Sequence, residues 1–127
     1  MTNEEIVYLI TLTIIDKVKF NNLENITDNL ITFIRDSLLS EIDVPSIEYS
    51  INNNIIYILI TTRQEIKIKN NLVEKYLYDK IDNIEELTKI KKLLKCITNK
   101  LKNIRTLEEY FIQQNRRRFM TYLLIGE

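Results

Sequence analysis

The run Ile55–Thr62 (IIYILITT) constrains the fold of this chain more than any other part of its sequence. Its residues are almost all β-branched or aromatic, which is typical of a strand buried on both faces of a sheet. A strand of this kind would aggregate if it were left uncovered. The sequence therefore predicts a sheet that holds this strand at its centre and helices that cover it.

The segments on either side predict two more strands. Residues 47–51 alternate apolar Ile and Tyr with polar Glu and Ser, the pattern of a half-buried strand. Residues 52–54 are all asparagine and predict a turn, because asparagine tolerates positive φ. Residues 65–69 (EIKIK) alternate again, with charges at every second position that would protect an edge strand. We therefore expect an antiparallel sheet of three strands.

Helices are predicted before and after this sheet. Residues 2–19 start with a capping box (TNEE) and are apolar nearly all round, as a buried helix is. A second helix over 22–42 has one apolar stripe and ends before Pro45, which disfavours helical geometry at the residue before it. A short helix over 70–81 follows the sheet. A second capping box predicts a last helix that begins at Leu107.

A long helix is predicted over about 83–104, because apolar residues recur there with alternating spacings of three and four. Unmatched lysines flank this apolar seam, so an acidic partner suits it better than a second copy of itself. The partner is either the acidic first half of the same chain or another protein. The candidate docking residues are Leu87, Ile90, Leu94, Ile97, Leu101 and Ile104.

The C-terminal run 119–125 predicts either a continued helix or a further strand, since periodicity does not distinguish them in so short a run. The expected fold is one compact α+β domain over residues 1–127, in the order ααβββααα. Three antiparallel strands, or four if the C-terminal run joins them, are covered by four to five helices. A chain of 127 residues can bury a core without a disulfide or a metal.

Composition argues against most catalytic chemistry. The chain has no His, one Cys and one Gly, which excludes His-dependent nucleophiles, zinc sites built from cysteines and glycine-rich phosphate loops. We expect no enzyme activity, no cofactor and no metal. The remote alternative is a Mg²⁺-dependent nuclease using Glu65 and Lys67, because restriction-nuclease-like enzymes hold Mg²⁺ with an E-x-K strand. The acid that such enzymes carry on the neighbouring strand is absent from residues 55–62.

The net charge is zero, but the charges are unevenly divided. Residues 1–50 carry nine acids and three bases, whereas residues 63–127 carry fifteen bases and nine acids. Either the two halves pack on each other, or the basic part over 89–118 binds nucleic acid without sequence preference. A winged-helix reader fits poorly, because the helix before the hairpin is acidic. The candidate nucleic-acid-binding residues are Lys91, Lys92, Lys95, Lys102, Arg105, Arg116, Arg117 and Arg118.

The sequence favours a non-enzymatic interaction or assembly protein that docks on a protein partner or self-associates into an oligomer. Nucleic-acid binding is the alternative. No small-molecule site is evident, and the longest apolar run, Ile55–Ile60, is too short to span a membrane. A lone cysteine and acidic first residues predict an intracellular, cytoplasmic protein. Abundant Ile, Asn and Lys with no Ala indicate an AT-rich source, such as a virus or a mobile element.

Overall fold

The computed structural model describes residues 4–15, 22–79 and 94–125. It confirms the α+β class and the antiparallel sheet, although the sheet has four strands, and three helices lie within the described residues. The elements in chain order are β1 (Ile6–Ile14), α1 (Leu23–Phe33) with a π-helical turn (Ile34–Leu38), β2 (Ser46–Asn52), β3 (Ile55–Thr62), α2 (Asn70–Tyr78), β4 (Leu94–Leu101) and α3 (Leu107–Ile125).

The sheet has the strand order β2-β3-β1-β4, and every neighbouring pair is antiparallel. As predicted, β3 lies inside the sheet. The order βαββαβ with these neighbours is that of the ferredoxin-like, or split β-α-β, motif. Helix α3 follows this motif. Topology of this kind is shared by many unrelated functions, so it positions side chains without assigning a role to them.

Helices α1 and α2 cover one face of the sheet. Apolar side chains at alternate positions of all four strands point to this face, as the period of two in a strand requires. Together with residues of α1, α2 and the following loops they form the larger core, whose fully buried members include Ile10, Leu12, Ile14, Leu30, Ile34, Ile56, Ile58, Ile60, Val73 and Leu77.

The other face, which we term the second face, carries a smaller core. Val7, Leu9 and Leu59 are buried there under Leu107, the first residue of α3. Because apolar side chains are buried on both faces of β3 and of the first half of β1, a period of two appears in these two strands only at residues 10–14 of β1.

The predicted buried helix over 2–19 is therefore wrong, because residues 6–14 form β1, an inner strand of the sheet. A strand covered on both faces and a helix buried all round are both apolar at nearly every position, so burial alone does not separate them. Composition does: seven of the nine residues in IVYLITLTI are β-branched or aromatic.

The predicted long helix over 83–104 is wrong where it overlaps the described residues, because residues 94–101 form β4. The rest of that prediction, up to residue 93, falls outside them. The edge strand predicted over 65–69 is also wrong, since this segment has no regular structure and the edges are β2 and β4. The order ααβββααα and the count of four to five helices differ from the structure for these reasons.

Other predictions are confirmed with shorter bounds. The second predicted helix ends with the π-helical turn at Leu38 rather than at residue 42, and the helix predicted over 70–81 is α2. The asparagine turn is present, and Asn53 has φ of 60°. The C-terminal run continues α3 as a helix to Ile125, so the fourth strand of the sheet is β4 and not this run.

Candidate functional site

Helix α3 is fastened to the second face at its first turn. Thr106 Oγ1 accepts a hydrogen bond from the backbone N–H of Glu109 at 3.1 Å, and Glu109 Oε2 accepts one from the N–H of Arg105 at 2.9 Å. The bond to Thr106 confirms the predicted cap, although Glu109 reaches back to the N–H of Arg105 and not to that of Thr106, as it would in a full capping box. A second carboxylate, that of Glu48 on β2, accepts a hydrogen bond from the N–H of Leu107. The start of α3 is thus tied to the sheet as well as capped.

Three aromatic rings extend this attachment. The Tyr57 ring on β3 meets the Phe111 ring edge to face, with centroids 4.9 Å apart, and lies 6.0 Å from the Tyr110 ring. Tyr110 and Phe111 are also edge to face, at 5.6 Å. Burial raises the pKa of Tyr110, and Tyr57 adds to this shift, whereas the nearby cations Arg117 and Arg118 oppose it. The rings therefore pack on one another, with two arginines beside them.

Within residues 4–15, 22–79 and 94–125, no helix packs on the part of the second face beyond this cluster. Thr11 and Thr13 of β1 are only half-buried, and Ile97 of β4, which pairs with Thr11, is 39% exposed. Lys95, which pairs with Thr13, is exposed, and Ile15, just after β1, is 59% exposed. We call Thr11, Thr13, Ile15, Lys95 and Ile97 the open sheet surface.

The geometry of the sheet explains why this surface is open. Four strands about 4.8 Å apart are wider than one helix, and helices pack about 8–10 Å from each other, so two helices are needed to cover such a sheet. The first face has two, α1 and α2. On the second face the described contacts come from the first turns of α3 alone, near Leu59 and Tyr57 of β3.

The four candidate docking residues in the described part of the chain do not form the predicted helical seam. Leu94 and Ile104 are buried, Leu101 is half-buried, and Ile97 is exposed on the open sheet surface. Leu87 and Ile90 lie outside the described residues. Sequence reasoning did not single out Thr11 and Thr13 of this surface. Their alternation with Ile10, Leu12 and Ile14 was a signal for a strand with a more polar side.

The candidate nucleic-acid-binding residues are divided among several places. Lys95 lies on the open sheet surface, while Lys102 and Arg105 line an open cleft beside Glu4, Glu5 and Glu109 at the other end of the strands. In this cleft an Arg105 guanidinium nitrogen lies 3.5 Å from a Glu5 carboxylate oxygen. Arg116, Arg117 and Arg118 are exposed on α3. Lys91 and Lys92 lie outside the described residues.

The residues of the nuclease alternative are on an irregular segment rather than on a strand. Lys100 Nζ donates a hydrogen bond to Glu65 Oε1 at 2.9 Å, and this bond and charge lower the pKa of the Glu65 carboxyl. Lys67 is exposed. Within the described ranges no three acidic, cysteine or histidine side chains are grouped so as to hold a metal ion. The nuclease alternative itself stays an untested prediction.

Cys96 is the one thiol of the chain, and it is buried. Burial, and then the neighbouring Glu74 carboxylate, raise the pKa of Cys96 to about 12. Its sulfur donates to Asn70 Oδ1 at 3.6 Å, and Thr98 Oγ1 donates to the same oxygen at 2.6 Å. A thiol with so high a pKa is not ionised near neutral pH, so it is a poor nucleophile.

Among the residues with described positions, no helix has the length and apolar content needed to cross a membrane. No protein-family model matches the chain, and no curated protein and no solved structure matches it either.

Proposed function

We propose that this protein is a non-enzymatic docking module, and that an amphipathic helix of a protein partner binds the open sheet surface. One observation carries the proposal: two helices cover the first face, whereas α3 covers only part of the second. A partner helix laid beside α3 would bury Ile97 and Ile15, which are exposed in the free chain. Removing that apolar area from water favours binding at about 25 cal/mol per Å² before the costs of association.

The polar groups around this surface suggest the character of the partner. Lys95 is exposed on the surface itself, and Arg117 and Arg118 on α3 are exposed on the same side of the sheet as the aromatic cluster. Acidic side chains flanking the apolar stripe of a partner helix would complement these cations. Such charges mainly increase the rate of encounter and the specificity, while the apolar centre supplies the affinity.

A photo-crosslinking amino acid at position 97 tests the proposal in the cells that normally express the chain. Leu72 on α2 provides a matched control, because its exposed fraction of 37% is close to the 39% of Ile97 and it lies on the other side of the sheet. We expect one discrete adduct from position 97, none of that size from position 72, and its loss when Ile15→Lys is added. An equal yield from both positions, or an adduct unaffected by Ile15→Lys, contradicts the proposal.

The alternative, nucleic-acid binding, is favoured by one observation. Arg117 and Arg118 both lie near the Tyr110 ring, seven and eight residues before them on α3. Against it, the rings of Tyr57 and Phe111 pack edge to face on each other, which leaves few open ring faces for base stacking. The candidate cations are also divided between the open sheet surface, the cleft and α3.

Fluorescence anisotropy with a labelled single-stranded oligonucleotide at low salt tests the alternative. Arg117→Ala/Arg118→Ala should weaken binding several-fold and make the logarithmic salt dependence shallower by roughly 1.4, the value for two phosphates on a single strand. Arg116→Ala is the control, because the charge of Arg116 is not among those that affect Tyr110. No binding by the unchanged chain, or equal losses in both variants, excludes this function for the arginine pair.

A further inference from the structure

The two edges of the sheet differ in how they are closed. At β4, the Glu74 carboxylate from α2 accepts a hydrogen bond from the Cys96 N–H at 3.1 Å, and Asn70 accepts one from Thr98 Oγ1. Side chains of α2 therefore block part of this edge. At β2, no hydrogen bond from elsewhere in the described chain reaches the backbone of Ile47 or Ile51.

The hairpin β2–β3 determines which backbone groups of β2 point outward. Its turn has two central residues, of which only Asn53 has positive φ, as in a type II′ turn. In such a turn the flanking residues, Asn52 and Ile55, form the hydrogen-bonded pair. Hydrogen-bonded and non-hydrogen-bonded pairs alternate along antiparallel strands, so residues 47, 49 and 51 direct their N–H and C=O groups away from β3.

Strand β2 has few of the features that normally stop an edge from pairing. Proteins protect edge strands with charged side chains, especially Lys, with Pro, with bulges or with covering segments. The β2 sequence SIEYSIN contains no Lys and no Pro, its one charged residue, Glu48, accepts a hydrogen bond from the N–H of Leu107 in α3, and its register with β3 is one-to-one throughout. This edge of seven residues extends over about 24 Å, since each residue of an antiparallel strand rises about 3.4 Å.

The order of residues in β2 is complementary to itself. When a second copy runs antiparallel with Tyr49 opposite Tyr49, Ile47 faces Ile51 and Glu48 faces Ser50. All outward groups at 47, 49 and 51 then meet their counterparts, which gives six inter-chain hydrogen bonds. The half-buried Ile47, Tyr49 and Ile51 become paired with apolar side chains, and Glu48 never faces a second Glu48.

We propose that a second copy of this chain binds along the β2 edge, antiparallel and centred on Tyr49, so that two four-stranded sheets join into one of eight strands. The interface is separate from the open sheet surface, because Ile97 and Thr11 lie on the face of the sheet near the opposite edge. Asp28 of α1 accepts a hydrogen bond from the Tyr49 hydroxyl at 2.8 Å, so one such carboxylate from each copy lies near the two-fold axis. Their repulsion makes the dimer tighter as salt concentration rises.

Disulfide trapping of the full-length chain tests the register. In a hydrogen-bonded antiparallel pair the two Cα atoms at position 49 are about 5.5 Å apart, within the range that a disulfide bridges. Tyr49→Cys should therefore form a covalent dimer on mild oxidation. Ser46→Cys is the control, because position 46 is exposed but faces position 52 of the second copy in this register, so it should give little dimer.

A charge pair tests the same register without a covalent bond. Ser50→Glu places a carboxylate opposite Glu48 twice in each dimer, whereas Ser50→Lys places an ammonium there. Sedimentation velocity should show dimerisation weakened by about 2- to 30-fold in the first variant and strengthened in the second. Circular dichroism confirms that both are folded. A monomer at all concentrations up to about 1 mM, equal trapping by both cysteine variants, or the same response to both charges overturns the proposal.

Discussion

The attachment of α3 to the sheet depends on a carboxylate that is 59 residues away in sequence, and its removal gives a quantitative prediction. Glu48→Ala deletes the acceptor for the Leu107 N–H, and Leu107 is buried, so water replaces the lost partner poorly. A hydrogen bond to a charged group contributes about 1.5–3 kcal/mol, and losing the negative charge at the helix N-terminus adds about 0.3–1 kcal/mol. We expect Glu48→Ala to lower the free energy of unfolding by about 2–4 kcal/mol.

Two variants separate the parts of this value. Glu48→Gln keeps an acceptor and loses the charge, so it should cost the helix-dipole part, about 0.3–1 kcal/mol, and the difference between a charged and a neutral hydrogen bond, about 1 kcal/mol. Thr106→Ala removes the side chain that caps the Glu109 N–H, and such a substitution typically costs about 1 kcal/mol. Glu48→Ala should therefore be the most harmful of the three, although its position is on a strand and not in the helix.

Urea denaturation followed by circular dichroism measures these differences. Hydrogen exchange locates them, because the amides of the first turn of α3 should exchange faster in Glu48→Ala while those of β1 change less. If Glu48→Ala lowers the free energy of unfolding by less than about 0.5 kcal/mol, the contact with Leu107 does not fasten α3 and the reasoning is refuted.

Three other predictions concern the turn, an ion pair and the thiol. Asn53→Val should cost about 1–2 kcal/mol in urea denaturation because the turn requires φ of 60°, whereas Asn53→Gly should not destabilise. Lys100→Met should raise the pKa of Glu65 towards its ordinary value in an NMR titration. Because the ion pair lowers the folded pKa of Glu65, it stabilises the folded chain at neutral pH, and this stabilisation is lost as the pH falls through that pKa. Cys96 should react with a thiol reagent only on unfolding. The stabilisation contributed by Cys96 should be lost as the pH rises from about 9 to about 12, where the unfolded thiol ionises before the folded one, so Cys96→Ala should make the fall in stability over this range smaller.

The hairpin β2–β3 and the start of α3 were predictable because short-range chemistry determines both. Residues 47–51 alternate in polarity, and the asparagine turn between the strands accommodates the positive φ at Asn53. The capping box at Thr106 uses residues three positions apart, so no distant contact is needed to recognise it. Local features of this kind form the same structure in any fold.

Strands β1 and β4 were mistaken for helices because their neighbours in space decide their structure. The residues that pair with β1 lie more than forty positions further along the chain, and burial on both faces removed the alternation from the first half of this strand. In β4, Leu94, Ile97 and Leu101 have heptad spacing, yet Leu94 and Ile97 point to opposite faces of the sheet. The heptad spacing in β4 was therefore coincidental. The strands that pair with β1 lie too far along the chain for a local sequence pattern to indicate them.

The candidate site was likewise predictable only where it depends on local sequence. The sequence identified Ile97 as a docking residue, but it assigned Ile97 to a helical seam with Leu94 and Ile104, which are buried. Thr11 and Thr13 became visible as a surface only when β4 was placed beside β1. A surface formed by two strands some eighty residues apart has no signature in either strand alone.

The central position of β1 has a consequence for how the chain is made. Ile14 is synthesised 41 positions before Ile55, the first residue of β3, and 80 positions before Leu94, the first residue of β4. At about 5–20 residues per second, the apolar strand β1 waits roughly 2–8 s for its first neighbour and about 4–16 s for its second. During that interval IVYLITLTI is an unpaired, uncharged strand outside the ribosome or in its tunnel. We therefore expect β1 to be the principal chaperone-binding segment of the nascent chain.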